Sequence, residues 1–293
     1  MPCAISASFP RGEFPVLSTT LPDVNELRRR FDAHGQAHVF RFWEVLDAAQ
    51  RSALLRQAER LGDDLPNLVA GQRAAFKALR ADGAPGCVAP GSAIALPENG
   101  GDSGRTEAAR KRGLELLEAG RLGVFVVAGG QGTRLGFAGP KGAFPVGPVS
   151  DRSLFALQAQ KIAGLSRRSG RPIPWYVMTS EATDAATRDF FEAQAHFGLD
   201  PEDIFVFTQG MVPAWDFEGR LILEAPHRIA ESPNGHGGAL TALADSGALD
   251  HMESRGVDRL FYYQVDNALV RIGDPVYLGS EAGWLATFSE KSC

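Results

Sequence analysis

The chain has 293 residues, 44% of them hydrophobic, and a formal net charge of −5. That length can bury a sizeable core and allows one large domain with a smaller part appended. The acidic balance argues against a nucleic-acid binder, whose phosphate contacts need clustered Lys and Arg.

No apolar run approaches the ~18 residues of a membrane span. The opening MPCAISASFPRGEFPV lacks the apolar stretch of a secretory signal. Cys3, Cys87 and Cys293 are odd in number, far apart and without C-x-x-C spacing. That pattern suits reduced thiols in a cytoplasmic protein and offers no metal site.

In chain order, residues 22–80 predict helices, with apolar residues at three- and four-residue spacing and no proline between Pro22 and Leu61. Asp23 is placed to cap the first helix and Asp64 to end the second. Phe40, Phe42, Trp43 and Leu46 then form the apolar face of a helix. Residues 82–104, rich in Gly, Pro, Ala and Ser, read as a connection. The domain boundary falls there, with a helical segment and linker over 1–104 and a second domain over 105–293.

A helix is predicted over 106–120, with Gly120 as its stop. From 122 the pattern becomes strand–helix–strand. LGVFVVAGG is apolar without alternation, as a strand buried on both faces should be. A helix follows over 153–170, a strand over 174–180, a helix over 184–198 and a strand over 204–210. Another helix covers 238–247, and a buried strand lies within 258–270. Alternating strands and helices predict an α/β fold with a parallel sheet covered on both faces. Ligands of such sheets bind beyond the carboxyl ends of the strands.

The stretch at that position is AGGQGTRLGFAGPKG, residues 128–142. It is not a dinucleotide fingerprint, because G-x-G-x-x-G from Gly130 needs glycine where Leu135 stands. Nor is it a Walker A loop, since Pro140 precedes Lys141 and Gly142 follows it. Glycines without Cβ still let backbone N–H groups approach a polyphosphate. Arg134 adds a guanidinium suited to phosphate oxygens, and Pro140 stiffens the approach of Lys141.

The loop as a whole, AGGQGTRLGFAGPKGAFPVG, resembles the signature of the eukaryotic-type UDP-sugar pyrophosphorylases, the family of UDP-N-acetylglucosamine pyrophosphorylases and UTP–glucose-1-phosphate uridylyltransferases. GQAHVFRFW (35–43), WYVMTSEATDAATRDFF (175–191), FTQGMVPAWDFEGRLILE (207–224), SPNGHGGALTAL (232–243) and YYQVDNALV (262–270) are similar to further family segments in the same order. The resemblance implies a Rossmann-like, mixed but mostly parallel sheet of the nucleotide-diphospho-sugar transferase (GT-A-like) type, with an N-terminal helical segment. It implies transfer of UMP from UTP to a sugar 1-phosphate, with pyrophosphate released. Neither nucleic acid nor membrane is an expected partner.

By the same resemblance, Arg134 and Lys141 hold phosphates, with Arg134 nearer the leaving pyrophosphate. Ala128, Gly129, Gly130, Gly132 and Thr133 line the nucleotide, and Gln209 and Gly235 face the uracil. His236 and Asn267 lie with the substrates, and Asp266 binds the cofactor Mg2+. Thr179, Ser180 and Glu181 belong to the substrate cleft, without an assigned role. An amide side chain offers the donor and acceptor that a uracil edge requires.

Two departures from the family pattern matter. Acetylglucosamine enzymes typically read G-N-G-G where this chain has Gly235-His236-Gly237-Gly238. The histidine pulls the expected acceptor from N-acetylglucosamine 1-phosphate toward glucose 1-phosphate. Family members also continue past the segment matching WLATFSEKSC, with a V-E-Y-S-type sugar motif and a C-terminal domain. The expectation is therefore a catalytic domain, 105–293, incomplete at its C-terminal end. Two functions follow: an active uridylyltransferase, or a truncated relative that holds a uridine nucleotide without turning it over.

Overall fold

The computed structural model describes residues 23–80, 95 and 97–282. All three cysteines, most of the connection at 82–104 and the residues from 283 onward lie outside the described residues. The chain divides into two compact units, one of residues 1–83 with 213–231, the other of 84–212 with 232–293.

The first unit is helical. Helix α1 (Val24–Ala33) is capped by Asp23, whose carboxylate accepts from Asn25 N at 2.9 Å. Helix α2 (Ala48–Gly62) opens with a capping box between Asp47 and Gln50. Asp64 separates it from α3 (Leu65–Arg80). Between α1 and α2 the expected helix is absent. Gly35, at φ +74°, turns the chain, and the aromatic run folds as two 3-10 turns, Ala37–Phe40 and Trp43–Val45. Phe40 is buried there, with its ring edge-on to Phe31 at 5.4 Å.

Residues 213–231, which composition places with the second half of the chain, belong to this helical unit. They carry the hairpin β5 (Leu223–Ala225) and β6 (Arg228–Ile229). Leu221 and Ile229 complete a core with Leu27, Phe31, Leu54, Leu61 and Leu65. Two glutamine amides hold the segment as another strand would. Gln36 donates to Gly219 O (2.9 Å) and accepts from Leu221 N (2.8 Å). Gln57 donates to Ile229 O and accepts from Ile229 N, both at 2.8 Å.

The second unit is built on a four-stranded parallel sheet. Its strands are β1 (Leu122–Val127), β2 (Trp175–Thr179), β3 (Ile204–Thr208) and β8 (Arg259–Gln264), in the order β3-β2-β1-β8. All three pairings are parallel, with Val124 opposite Trp175 and Phe261. All of β1 is buried, and its side chains alternate between two cores. Val124 and Val126 face Phe155, Ile162, Trp175 and Phe191, while Phe125 and Val127 face Tyr176, Met178, Phe207 and Leu243.

Helix α4 (Ser103–Glu118) starts earlier than expected because Asp102 caps it, and it packs against α9 (Pro275–Ala282). Helix α5 (Leu154–Ser169) ends at left-handed Gly170, as read from the sequence. Helix α6 (Asp184–Ala193) is shorter than predicted: Ala195, His196, Phe197 and Gly198 all have positive φ, which breaks it before 198. The short strands β4 (Met211–Pro213) and β7 (Glu231–Pro233) pair with each other, and the chain passes between the two units along them. Helices α7 (Ala239–Asp245) and α8 (Ala248–Ser254) precede β8. Among the described residues, no helix is long and apolar enough to cross a membrane.

Candidate nucleotide and phosphate site

The glycine loop leaves the carboxyl end of β1, at the centre of the sheet. Ala128 is buried and still donates to Met178 O (2.8 Å) as an extension of the ladder. From there the loop folds back on itself. Gly132 N donates to Gly139 O (2.8 Å) and Lys141 N to Gly130 O (3.0 Å). Thr133 and Arg134 lie on a 3-10 turn that ends at left-handed Gly136; both are exposed.

Two glycines stand in close approach to their neighbours. A Cβ on Gly129 would stand 2.2 Å from Gln209 Nε2 and 3.2 Å from Ser180 N. A Cβ on Gly142 would stand 2.2 Å from two atoms of the buried Phe155 ring.

Ser180 supports this first limb, its hydroxyl donating to Gly129 O at 2.7 Å. Thr179 and Ser180 are buried, and Thr179 Oγ1 lies 2.6 Å from Asp184 Oδ1. They therefore buttress the loop from behind, while Glu181 is exposed. Burial raises the Asp184 pKa, but hydrogen bonds from Arg188 and Thr179 outweigh it, and the carboxyl stays below the usual aspartate range.

Gln209 is 6% exposed, and its Oε1 accepts from Gly235 N at 2.9 Å. Only the oxygen of an amide can accept, so this bond fixes the orientation of the group. Nε2 is thereby directed to Gly129.

Lys141 and Asp266 meet across the sheet ends. Nζ and Oδ2 are 2.8 Å apart, with side chains 22% and 42% exposed. Asp266 and Asn267 form the turn after β8, where Asn267 N donates to Gln264 O (3.1 Å). His236 Nδ1 is hydrogen-bonded to the Tyr262 hydroxyl.

Among the described residues, no group of three or more His, Cys, Asp or Glu forms a ready-made metal cage. A lone half-exposed carboxylate is a donor set that suits Mg2+, which takes one or two carboxylates and completes its shell with phosphates and water.

The structure thus joins Lys141 with Asp266, and Gly129 with Gln209 and Gly235. Arg134 is at the rim and makes no ion pair with a described residue. Sequence reading missed Tyr262, Gln158 and Lys161. Gln158 donates to Val265 O (3.1 Å), and Lys161 donates to Ala268 O (2.8 Å) and Val270 O (3.0 Å). Burial lowers the Lys161 pKa. In the sequence both look like ordinary positions of an amphipathic helix, because their partners are backbone carbonyls.

The sequence model of UTP–glucose-1-phosphate uridylyltransferase matches residues 105–281, from α4 through the whole parallel sheet. The chain belongs to that family. A family relative from Xenopus tropicalis, "UDP-N-acetylhexosamine pyrophosphorylase-like protein 1", is 40% identical over 264 residues, covering 86% of this chain and 51% of its own. Arabidopsis thaliana UDP-N-acetylglucosamine diphosphorylase 1 is 38% identical over 270 residues, with 86% and 52% covered. The chain spans about half the length of the curated relatives it matches.

Among solved structures, the uridine diphosphate N-acetylglucosamine pyrophosphorylase from Trypanosoma brucei superimposes with a TM-score of 0.73 at 27% identity. The match covers 90% of this chain and 55% of that one. The α/β fold expected from the sequence is thus the family fold; among the described residues its main sheet is wholly parallel.

Proposed function

We propose that the protein is a uridylyltransferase that moves UMP from UTP to a sugar 1-phosphate. The observation that carries this reading is the 2.8 Å pairing of Lys141 with Asp266 beside a glycine loop whose other limb is packed on Gln209. A cation for phosphate oxygens and a carboxylate for Mg2+ converge at one point, and an oriented amide for a base stands next to the same loop. The relatives, a UDP-N-acetylglucosamine diphosphorylase among them, support the same chemistry.

In this reaction a phosphate oxygen of the sugar 1-phosphate attacks the α-phosphorus of UTP. The new P–O bond forms as the bond to pyrophosphate breaks. The attacking oxygen is already ionised at pH 7, so the chain needs no general base. Catalysis is positioning and charge neutralisation.

Lys141 neutralises the phosphates at the reacting centre. Arg134, exposed at the loop rim, takes the leaving pyrophosphate. The backbone from Ala128 to Thr133 lies along the uridine and ribose. Gln209 Nε2, fixed by the Gly235 bond, donates to a uracil carbonyl. Asp266 would hold Mg2+, which when bound supplies charge stabilisation to the phosphates. Asn267 and His236 lie toward the acceptor, and His236 favours glucose 1-phosphate over the N-acetylated sugar.

The test is pyrophosphate release from UTP with Mg2+, with glucose 1-phosphate and N-acetylglucosamine 1-phosphate supplied separately and Lys141→Ala as control. Release that needs one sugar phosphate and disappears in the control is expected. No release, with UTP still raising the melting temperature, would refute transferase activity and leave a nucleotide-binding protein.

A further inference from the structure

We propose that helix α5 fixes the spacing between Lys141 and Asp266, with Gln158 and Lys161 as its positioning residues. The functional half of this inference rests on the uridylyltransferase reading; the mechanical half does not.

The helix begins directly after the loop. Leu154 N donates to Phe144 O (3.1 Å), and the Ser153 hydroxyl caps Ala156 N. Its first inward residue, Phe155, lies against Gly142, the neighbour of Lys141, and is itself locked by Phe191 at 4.9 Å between ring centres. The lysine end of the site is therefore seated on the first turn of α5.

The aspartate end is seated on the next turns. After β8, Val265 N donates to Val127 O of β1, and the next N–H groups find local partners: Asn267 N on Gln264 O, Ala268 N on Asp266 O and Val270 N on Asn267 O. The carbonyls of Val265, Ala268 and Val270 are taken by α5 instead.

Gln158, 1% exposed, donates to the first at 3.1 Å and accepts from the Tyr263 hydroxyl, also at 3.1 Å. Lys161, three residues on, spans the other two at 2.8 and 3.0 Å. Positions three apart lie on one helix face, so one rigid element clamps the chain on both sides of Asp266 and Asn267. A charged donor to a carbonyl is stronger and more directional than a neutral one. A misplacement of about 1 Å at a reacting group can cost on the order of 100-fold in rate.

The test compares Lys161→Met, which keeps the stem and removes the donors, with Lys161→Arg, which keeps charged donors. Three quantities are read on the full chain. They are hydrogen exchange of the 265–270 backbone, Mn2+ affinity in the presence of UTP by electron paramagnetic resonance, and kcat and KM for pyrophosphate release.

In the methionine variant, exchange at 267–270 should rise while that of β1 is unchanged. Mn2+ affinity and kcat should each fall about 10–100-fold, the usual loss on removing a group that orients a ligand. KM for UTP should move by less than about 3-fold, since the base and ribose contacts are untouched. The arginine variant should recover most of each loss.

Wild-type exchange and Mn2+ affinity in the methionine variant would overturn the proposal, as would equal losses in the arginine variant. If Lys161→Met does not fold, Gln158→Met removes one clamp of three and should show smaller changes in the same direction; wild-type values there overturn the proposal equally. If the unaltered protein shows no transfer, the uridylyltransferase reading fails, and the exchange comparison still decides whether α5 holds the turn.

Discussion

Gly129→Ala tests the proposed role of Gln209 in reading the base. The new Cβ would stand 2.2 Å from Gln209 Nε2, whereas ordinary contact starts at 3.4 Å, so the amide must withdraw by about 1 Å. Ser180 Cβ and N, both at 3.2 Å from the new Cβ, leave the loop little room to move instead. A retreat of that size breaks the 2.9 Å bond from Gly235 N to Gln209 Oε1. Losing it costs about 1–3 kcal/mol, or a fall of roughly 2–10 °C in melting temperature for a chain of this size.

If Gln209 reads the uracil as proposed, the displaced amide also loses that bond, and UTP affinity should fall about 10–150-fold by calorimetry. A double-mutant cycle isolates the cause. On a Gln209→Ala background there is no amide to displace, and Gly129→Ala should cost almost nothing further in UTP affinity. Additive losses in the cycle, or unchanged UTP binding in the single variant, would refute the reasoning.

Gly142→Ala meets a harder neighbour, because the Phe155 ring is fully buried among Trp175 and Phe191 and cannot swing away. Overpacking of about 1–3 kcal/mol should appear as a lower urea midpoint with an unchanged slope. Gln36→Ala strips the partners from Gly219 O and Leu221 N in the helical unit, where Gln36 has no exposed surface. A loss of about 2–4 kcal/mol in urea unfolding is expected, and a neutral result would show that the segment is held by its apolar side chains alone.

His251, on α8, is held below its ordinary pKa of 6.5 by burial and then by Arg255, against the opposing pull of Glu202 and Asp203; Tyr176 bonds its ring at 3.0 Å. The unfolded chain therefore binds a proton that the folded one refuses. Stability from this residue is present above the ordinary value and is lost as pH falls below 6.5. Melting curves between pH 7.5 and 5.5 should show that loss, and His251→Phe should flatten it.

Much of this was legible in the residues. Strands β1, β2 and β3 and helix α5 announced themselves by uninterrupted apolar runs, by period and by Gly170. The loop glycines marked the site because backbone without Cβ can approach a polyphosphate closely. What escaped notice had no local signal. A left-handed run through Ala195, His196 and Phe197 uses residues that ordinarily continue a helix. The aromatic spacing at 40–46 is shared by α-helices and by consecutive 3-10 turns. Lys161 and Gln158 act on carbonyls more than a hundred residues away, which every sequence presents alike.

The helical unit also has a history in time. Its core needs Leu221 and Ile229, which the ribosome adds about 150 residues after α3 ends at Arg80. At bacterial or eukaryotic speeds that interval is roughly 7–30 s. Throughout it, Leu54, Leu61 and Leu65 wait without their last partners while β1, β2 and β3 emerge. A nascent chain of this protein should therefore recruit a holdase to its amino-terminal helices. A gene cut anywhere between codons 80 and 231 would leave those helices without the closing side of their core.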